Sequence, residues 1–212
     1  LFFATDISIN AHWQEQQWQG FVPKALLGYV EGDLNWQGEL TLAMHTGGGF
    51  TYQFDLLSDV NELNIKLPAI NQSADNIQPL VAKVSGQSDR SSISAKLSDS
   101  ISFSGELDHS QTQFTRAQLN IGDNNMLLPM PGFHINVNLP KASMAQWQPL
   151  VSDIITTVSQ AESKSKTSGA ALFKTPEKIR GAVGQLDVYG QVIDNVNFNL
   201  LNQSEHWLLQ LN

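Results

Sequence analysis

Apolar and polar residues alternate through nearly every patterned stretch of the chain. Ile7, Ile9, Ala11 and Trp13 interleave with Ser8, Asn10, His12 and Gln14, and Leu34, Trp36, Leu40, Leu42 and Met44 hold one phase from residue 34 to residue 44. Phe50, Tyr52, Phe54 and Leu56 repeat the pattern, as do Leu63, Ile65 and Leu67, then Ile93, Ala95 and Leu97, then Ile101, Phe103 and Leu107. It returns at Ala117, Leu119 and Ile121, at Phe133, Ile135, Val137 and Leu139, at Val196, Phe198 and Leu200, and at Trp207, Leu209 and Leu211. A period of two belongs to a strand with one dry face and one wet face. The chain therefore reads as mainly β, a large curved antiparallel meander sheet, groove-like or taco-like, with one amphipathic helix.

That helix is expected from about Met144 to Glu162, with Met144, Trp147, Val151, Ile154, Ile155 and Val158 on one stripe. Ser143 can cap it, and Pro149 places either its regular start near Gln148 or a bend there. One helix about 10 Å wide covers roughly two strands spaced about 4.8 Å apart, whereas ten strands span roughly 45 Å. Most of the apolar face is left without helical cover. Either the sheet folds over to bury that face against itself, or it curls into a trough whose floor stays apolar and holds something else.

Turn signals separate the strands at Gln17–Gly20, Gly47–Gly49, Asp89–Arg90, Asp99–Ser100, Asp108–Gln111 and Asp123–Asn125, which favours antiparallel neighbours. Residues 67–78 read as a longer loop ended by Pro79, and Pro129 and Pro131 make a stiff connection into the strand at Phe133. The expected organisation is one continuous domain: a curved sheet over 1–142, the helix over 143–162, a flexible linker over 163–182 and a closing meander over 183–212. Trp36-Gln37-Gly38, Phe103-Ser104-Gly105 and Val188-Tyr189-Gly190 echo one another, each placing glycine within a strand where a sheet can curve. The chain starts without Met and ends inside a strand pattern, and reads as a piece of a longer protein.

Composition narrows the function. At 41% hydrophobic and 15% charged the chain can build a substantial core. A net charge of -8 and a pI near 4.9 argue against nucleic acid and against docking on anionic head groups. Cysteine is absent, and no apolar run is long enough to span a membrane as a helix. His12, His45, His109, His134 and His206 lack metal-ligand spacing, no nucleophile elbow or phosphate loop occurs, and the carboxylates sit at strand ends and turns. No catalytic residue, metal or cofactor is expected. His134, Asn136 and Asn138 share a polar face read as an ordinary wet surface; Trp18, in a turn, is read as exposed.

Three stretches, in this order, resemble the YhdP branch of the AsmA-like superfamily of bacterial envelope proteins. They are Phe50 to Leu63 running on to Lys66-Leu67-Pro68, Pro131-Gly132-Phe133 through Ile135 to Trp147, and Gly184 to Val188 through Trp207 to Leu211. The resemblance implies an inner-membrane-anchored protein crossing the periplasm, whose β-groove carries phospholipid acyl chains toward the outer membrane without catalysis or cofactor. Its partners would be those acyl chains, the rest of the same long chain at both ends, and envelope proteins. The expected lining is Leu34, Trp36, Leu40, Phe50, Tyr52, Phe54, Ile101, Phe103, Phe133, Ile135 and Val137. The rival readings are a closed β-sandwich that binds a glycan or an envelope protein, and a structural spacer.

Overall fold

Because side chains of directly paired residues share a face, the strand register carries the period-two pattern from one strand to the next. The computed structural model describes residues 3–19, 24–68, 79–122, 130–153, 175–203 and 207–211. The strands are β1 (Phe3–Trp13), β2 (Val30–Gly32), β3 (Leu34–Met44), β4 (Phe50–Asp59), β5 (Leu63–Ile65), β6 (Leu80–Gln87) and β7 (Arg90–Leu97), followed by β8 (Ile101–Asp108), β9 (Gln113–Gly122), β10 (Gly132–Ser143), β11 (Lys178–Val188), β12 (Gln191–Asn202) and β13 (Trp207–Leu211). Eleven of them form one sheet in the order β1-β3-β4-β6-β7-β8-β9-β10-β11-β12-β13; β2 and β5 pair separately. The edges β1 and β13 do not pair with each other, so the sheet is open. The second layer that a closed sandwich needs is missing among the described residues, where the only other sheet has two strands.

The antiparallel meander holds for most of the sheet but not at β10, which runs parallel to both β9 and β11. β9 and β10 are therefore not joined as an antiparallel hairpin; the turn expected at Asp123–Asn125 lies outside the described residues. The return from β10 to β11 begins with helix α2 over 144–153. It starts at Met144 and runs through Pro149, ruling out a start near Gln148; residues 154–162 lie outside the described part. Its buried side chain is Leu150, while Met144 and Val151 of the expected stripe are exposed. β11 begins at Lys178, inside the stretch expected to be linker, and β6 was not expected as a strand.

Strand ends divide the molecule into two rims. At the first lie the turns 45–49, 88–89 and 109–112; at the second lie α1 (Glu15–Trp18), a 3-10 segment (Lys24–Tyr29), the β2–β5 pair, α2 and the β11–β12 turn. The second-rim elements carry their own core: Trp18, expected to be exposed, is 5% exposed and its indole N–H donates to the Gly32 carbonyl at 3.0 Å, and Val60, Ile65 and Leu150 are also buried. The Tyr29 hydroxyl donates to Asp153 at 2.8 Å, which holds the Tyr29 pKa above its ordinary value. Tyr29 precedes β3 and Asp153 follows β10, strands about 29 Å apart in a flat sheet. Their contact brings the two halves of the second rim together.

The remaining buried apolar side chains are Phe114, Ala117, Ile135, Leu139 and Val183, all on β9, β10 and β11. The opposite face of the same region is closed as well. Gln118 donates to Asn120 at 2.9 Å, Asn136 to Asn120 at 2.8 Å, Asn120 to Ser102 at 3.2 Å, and Arg180 to Asn136 at 2.6 Å. Asn120 is 1% exposed, so the face expected to be wet contains a buried amide ladder. Strands with parallel neighbours are ordinarily shut off from water on both sides. Replacing Asn120 by Ala removes a partner from three buried polar groups and is expected to lower stability by about 3 kcal/mol, read by chemical denaturation.

The apolar face as candidate functional site

Registers place Leu34, Trp36, Leu40, Phe50, Tyr52, Phe54, Ile101, Phe103, Phe133, Ile135 and Val137 on the same face of the sheet. Leu40 is opposite Phe54; Phe103 connects through Leu119 to Ile135, and Ile101 through Ile121 to Val137. The same rows add Ile7, Ile9 and Trp13 on β1, Leu80 and Val84 on β6, and Phe198 and Leu200 on β12. The other face carries Asp6, Asn10, Gln37, Glu39, Gln53 and Asp55.

Ring packing shapes this surface. Trp13 and Trp36 meet edge to face at 5.1 Å, Trp36 and Phe54 at 6.1 Å, and Phe103 and Phe114 at 5.4 Å. A Cβ at Gly38 would stand 2.5 Å from the Phe54 ring, one at Gly105 2.8 Å from the Phe114 ring, and one at Gly181 would overlap the Phe198 ring. Each ring thus fills space that a side chain would otherwise occupy. Emptying mid-strand positions on one face relieves crowding there and lets the sheet bend toward that face. Gly181 takes the role expected of Gly190, which instead forms the two-residue turn between β11 and β12 with Tyr189, both at positive φ.

Exposure separates a closed part of the face from an open one. Ile135 is 8% exposed and belongs to the core. The other ten expected lining residues are half-buried except Phe50, which is 39% exposed, and no apolar side chain of β1, β3, β4, β6, β7 or β8 is fully buried. At the first rim Phe3, Met44 and Phe50 form one cross-strand row, all exposed. The floor from β1 to β8 is oily and unfilled.

Polar chemistry is sparse around it. His12 bonds Asn35 at 2.8 Å, His45 bonds Thr51 at 3.2 Å and His134 bonds the Pro131 carbonyl at 2.7 Å; His206 lies outside the described residues. Among the described residues no three His, Asp or Glu converge as metal ligands, and no helix is long and apolar enough to cross a membrane. One cluster interrupts the apolar face: the Tyr52 hydroxyl bonds Ser91, and Ser91 bonds His109 Nε2 at 2.6 Å.

Fold and surface define a protein built on one large open β-sheet with one largely apolar face. The family model described as YhdP protein matches residues 3–212, and the chain belongs to the YhdP family, a family of bacterial envelope proteins. Comparison with curated proteins returns no match, and comparison with solved structures returns none either.

Proposed function

We propose that this chain is a segment of a lipid-transfer conduit, whose apolar floor carries phospholipid acyl chains across the periplasm in a longer protein anchored in the inner membrane. The observation that carries this reading is the unfilled floor of β1 to β8, which exposes Phe3, Met44 and Phe50 and buries no apolar side chain of its own. Each methylene laid against such a floor contributes about 0.8 kcal/mol without needing a polar partner, so chains bind by area and slide without a fixed register. Transport along it is passive and requires no catalytic group or cofactor. Among the described residues the edges β1 and β13 have no further partner strand, and from them the sheet would continue into flanking segments of the same protein, lengthening the floor.

Purified chain passed over phospholipid vesicles and re-isolated is expected to retain lipid detectable by mass spectrometry, released by organic extraction but not by high salt. A chain that returns free of lipid at every vesicle concentration overturns the reading.

A further inference from the structure

The wet face of the sheet has relief of its own toward the second rim. Register partners Asn10, Gln37 and Leu57 form one row across β1, β3 and β4, and His12, Asn35 and Asp59 form the next, all on the face opposite the apolar floor. The two rows line a cleft of about 710 Å³, together with Asn61 beyond β4 and Pro79 before β6.

Much of the hydrogen-bonding capacity of this cleft is unused. No hydrogen bond within the described residues engages the side-chain amides of Asn10, Gln37 or Asn61. His12 bonds the Asn35 amide oxygen at 2.8 Å, which leaves the Asn35 NH2 as a donor. The Asp59 carboxylate accepts from the Asn61 backbone N–H at 3.0 Å through one oxygen and keeps the other open. Apolar surface adjoins these groups. Leu57 is 39% exposed, and its register partner Val81 on β6 is 47% exposed, on a face where the neighbouring pair is Asp55 and Lys83.

Polar groups at fixed positions beside a small apolar patch are what orient a compact polar ligand. Amides that can both donate and accept, next to an exposed Leu57, match an acetamido group, which presents one N–H, one carbonyl and one methyl. Asn35, Asp59 and Asn61 match hydroxyls that donate and accept. The Asp59 carboxylate, with Asp33 3.5 Å from His12, repels a negatively charged ligand.

We propose that this cleft binds an uncharged, N-acetylated saccharide. Asn10 and Gln37 pair with the acetamido group, its methyl rests on Leu57, and the ring hydroxyls bond Asn35, Asp59 and Asn61. The site lies on the back of the sheet, so a glycan held there leaves the apolar floor free. The assignment is independent of the conduit reading.

The test titrates the full chain with chitotetraose by isothermal calorimetry, and with cellotetraose, which has hydroxyls in place of the acetamido groups. The wild-type protein is expected to bind chitotetraose with a Kd below about 1 mM and cellotetraose about tenfold more weakly. Gln37→Ala and Leu57→Ala change exposed side chains on the wet face. Each is expected to weaken chitotetraose binding about tenfold, with the circular dichroism melt and the lipid retained from vesicles unchanged. A wild-type protein that binds neither sugar, or both equally, overturns the proposal, as do two variants that keep wild-type affinity. Lipid retention, measured on the same samples, reads the conduit separately, so either reading can fail while the other stands.

Discussion

Ile135→Asp is expected to leave no folded protein, whereas Phe54→Asp is expected to leave the strand framework in place and strip it of lipid. The two residues share a face and a period, and differ in what surrounds them. Ile135 is 8% exposed on β10, among the buried Phe114, Ala117, Leu139 and Val183 of β9 to β11. A carboxylate there has no route to water and no partner, a penalty of several kcal/mol against a total stability of about 5–15 kcal/mol. Phe54 lies half-buried on the open floor, with its ring over Gly38 and edge-on to Trp36. Its loss removes ring contacts at about 1–3 kcal/mol, and the new carboxylate stays hydrated. That hydrated charge sits in the path of the hydrocarbon. Circular dichroism melts and mass spectrometry of retained lipid read the two effects separately. A Phe54→Asp protein that retains as much lipid as wild type removes β4 from the lipid path, and an Ile135→Asp protein that melts normally removes Ile135 from the core.

How much of this was legible in the sequence follows from what a period of two can encode. Parallel and antiparallel pairing both preserve the face, so Leu34 and Val137, six strands apart in the sheet, share it wherever the register runs unbroken. The same property explains why the direction of β10 could not be read. Turn residues at 123–125 look like a hairpin tip, and only the pairing of Phe133 with Ala117 and of Ile179 with Ile135 reveals strands running the same way. β6 was hidden because Val81 faces outward and Ala82 and Gly86 weaken the inward set, while Pro79 suggested a loop. Burial of the amide ladder around Asn120 depends on neighbours in space, which polar residues at alternate positions do not disclose. The burial of Trp18 is hidden for a related reason: its indole N–H bonds the Gly32 carbonyl of the β2–β5 pair, whose strands are too short to show a period. Mid-strand glycines were legible as bends, but which ring covers each one required the register.

The reversal into β10 supplies the other large effect, because it rests on glycine at both ends of the returning chain. Gly122 closes β9 with φ at 86°, donates its N–H to the Ser100 carbonyl at 2.6 Å and stands opposite Asn138 in the parallel ladder. A Cβ at that position would overlap the Asn138 carbonyl oxygen, which the ladder holds in place. Gly132, also at φ 86°, opens β10 with a Cβ position taken by the Glu177 carboxylate, the far end of a flexible side chain. Relief is available at Gly132 and denied at Gly122. Gly122→Ala therefore combines left-handed strain of about 1–2 kcal/mol with a backbone collision that parts β9 from β10, and a loss of about 4 kcal/mol is expected by urea denaturation. Gly190 serves as the control: its φ is 90° but nothing lies within 4 Å of its Cβ position, so Gly190→Ala carries the strain alone. The difference between the two variants measures the collision itself. Equal losses would mean that β9 and β10 can separate at Asn138 without disturbing the sheet, and that the core of β9 to β11 does not depend on the parallel pairing.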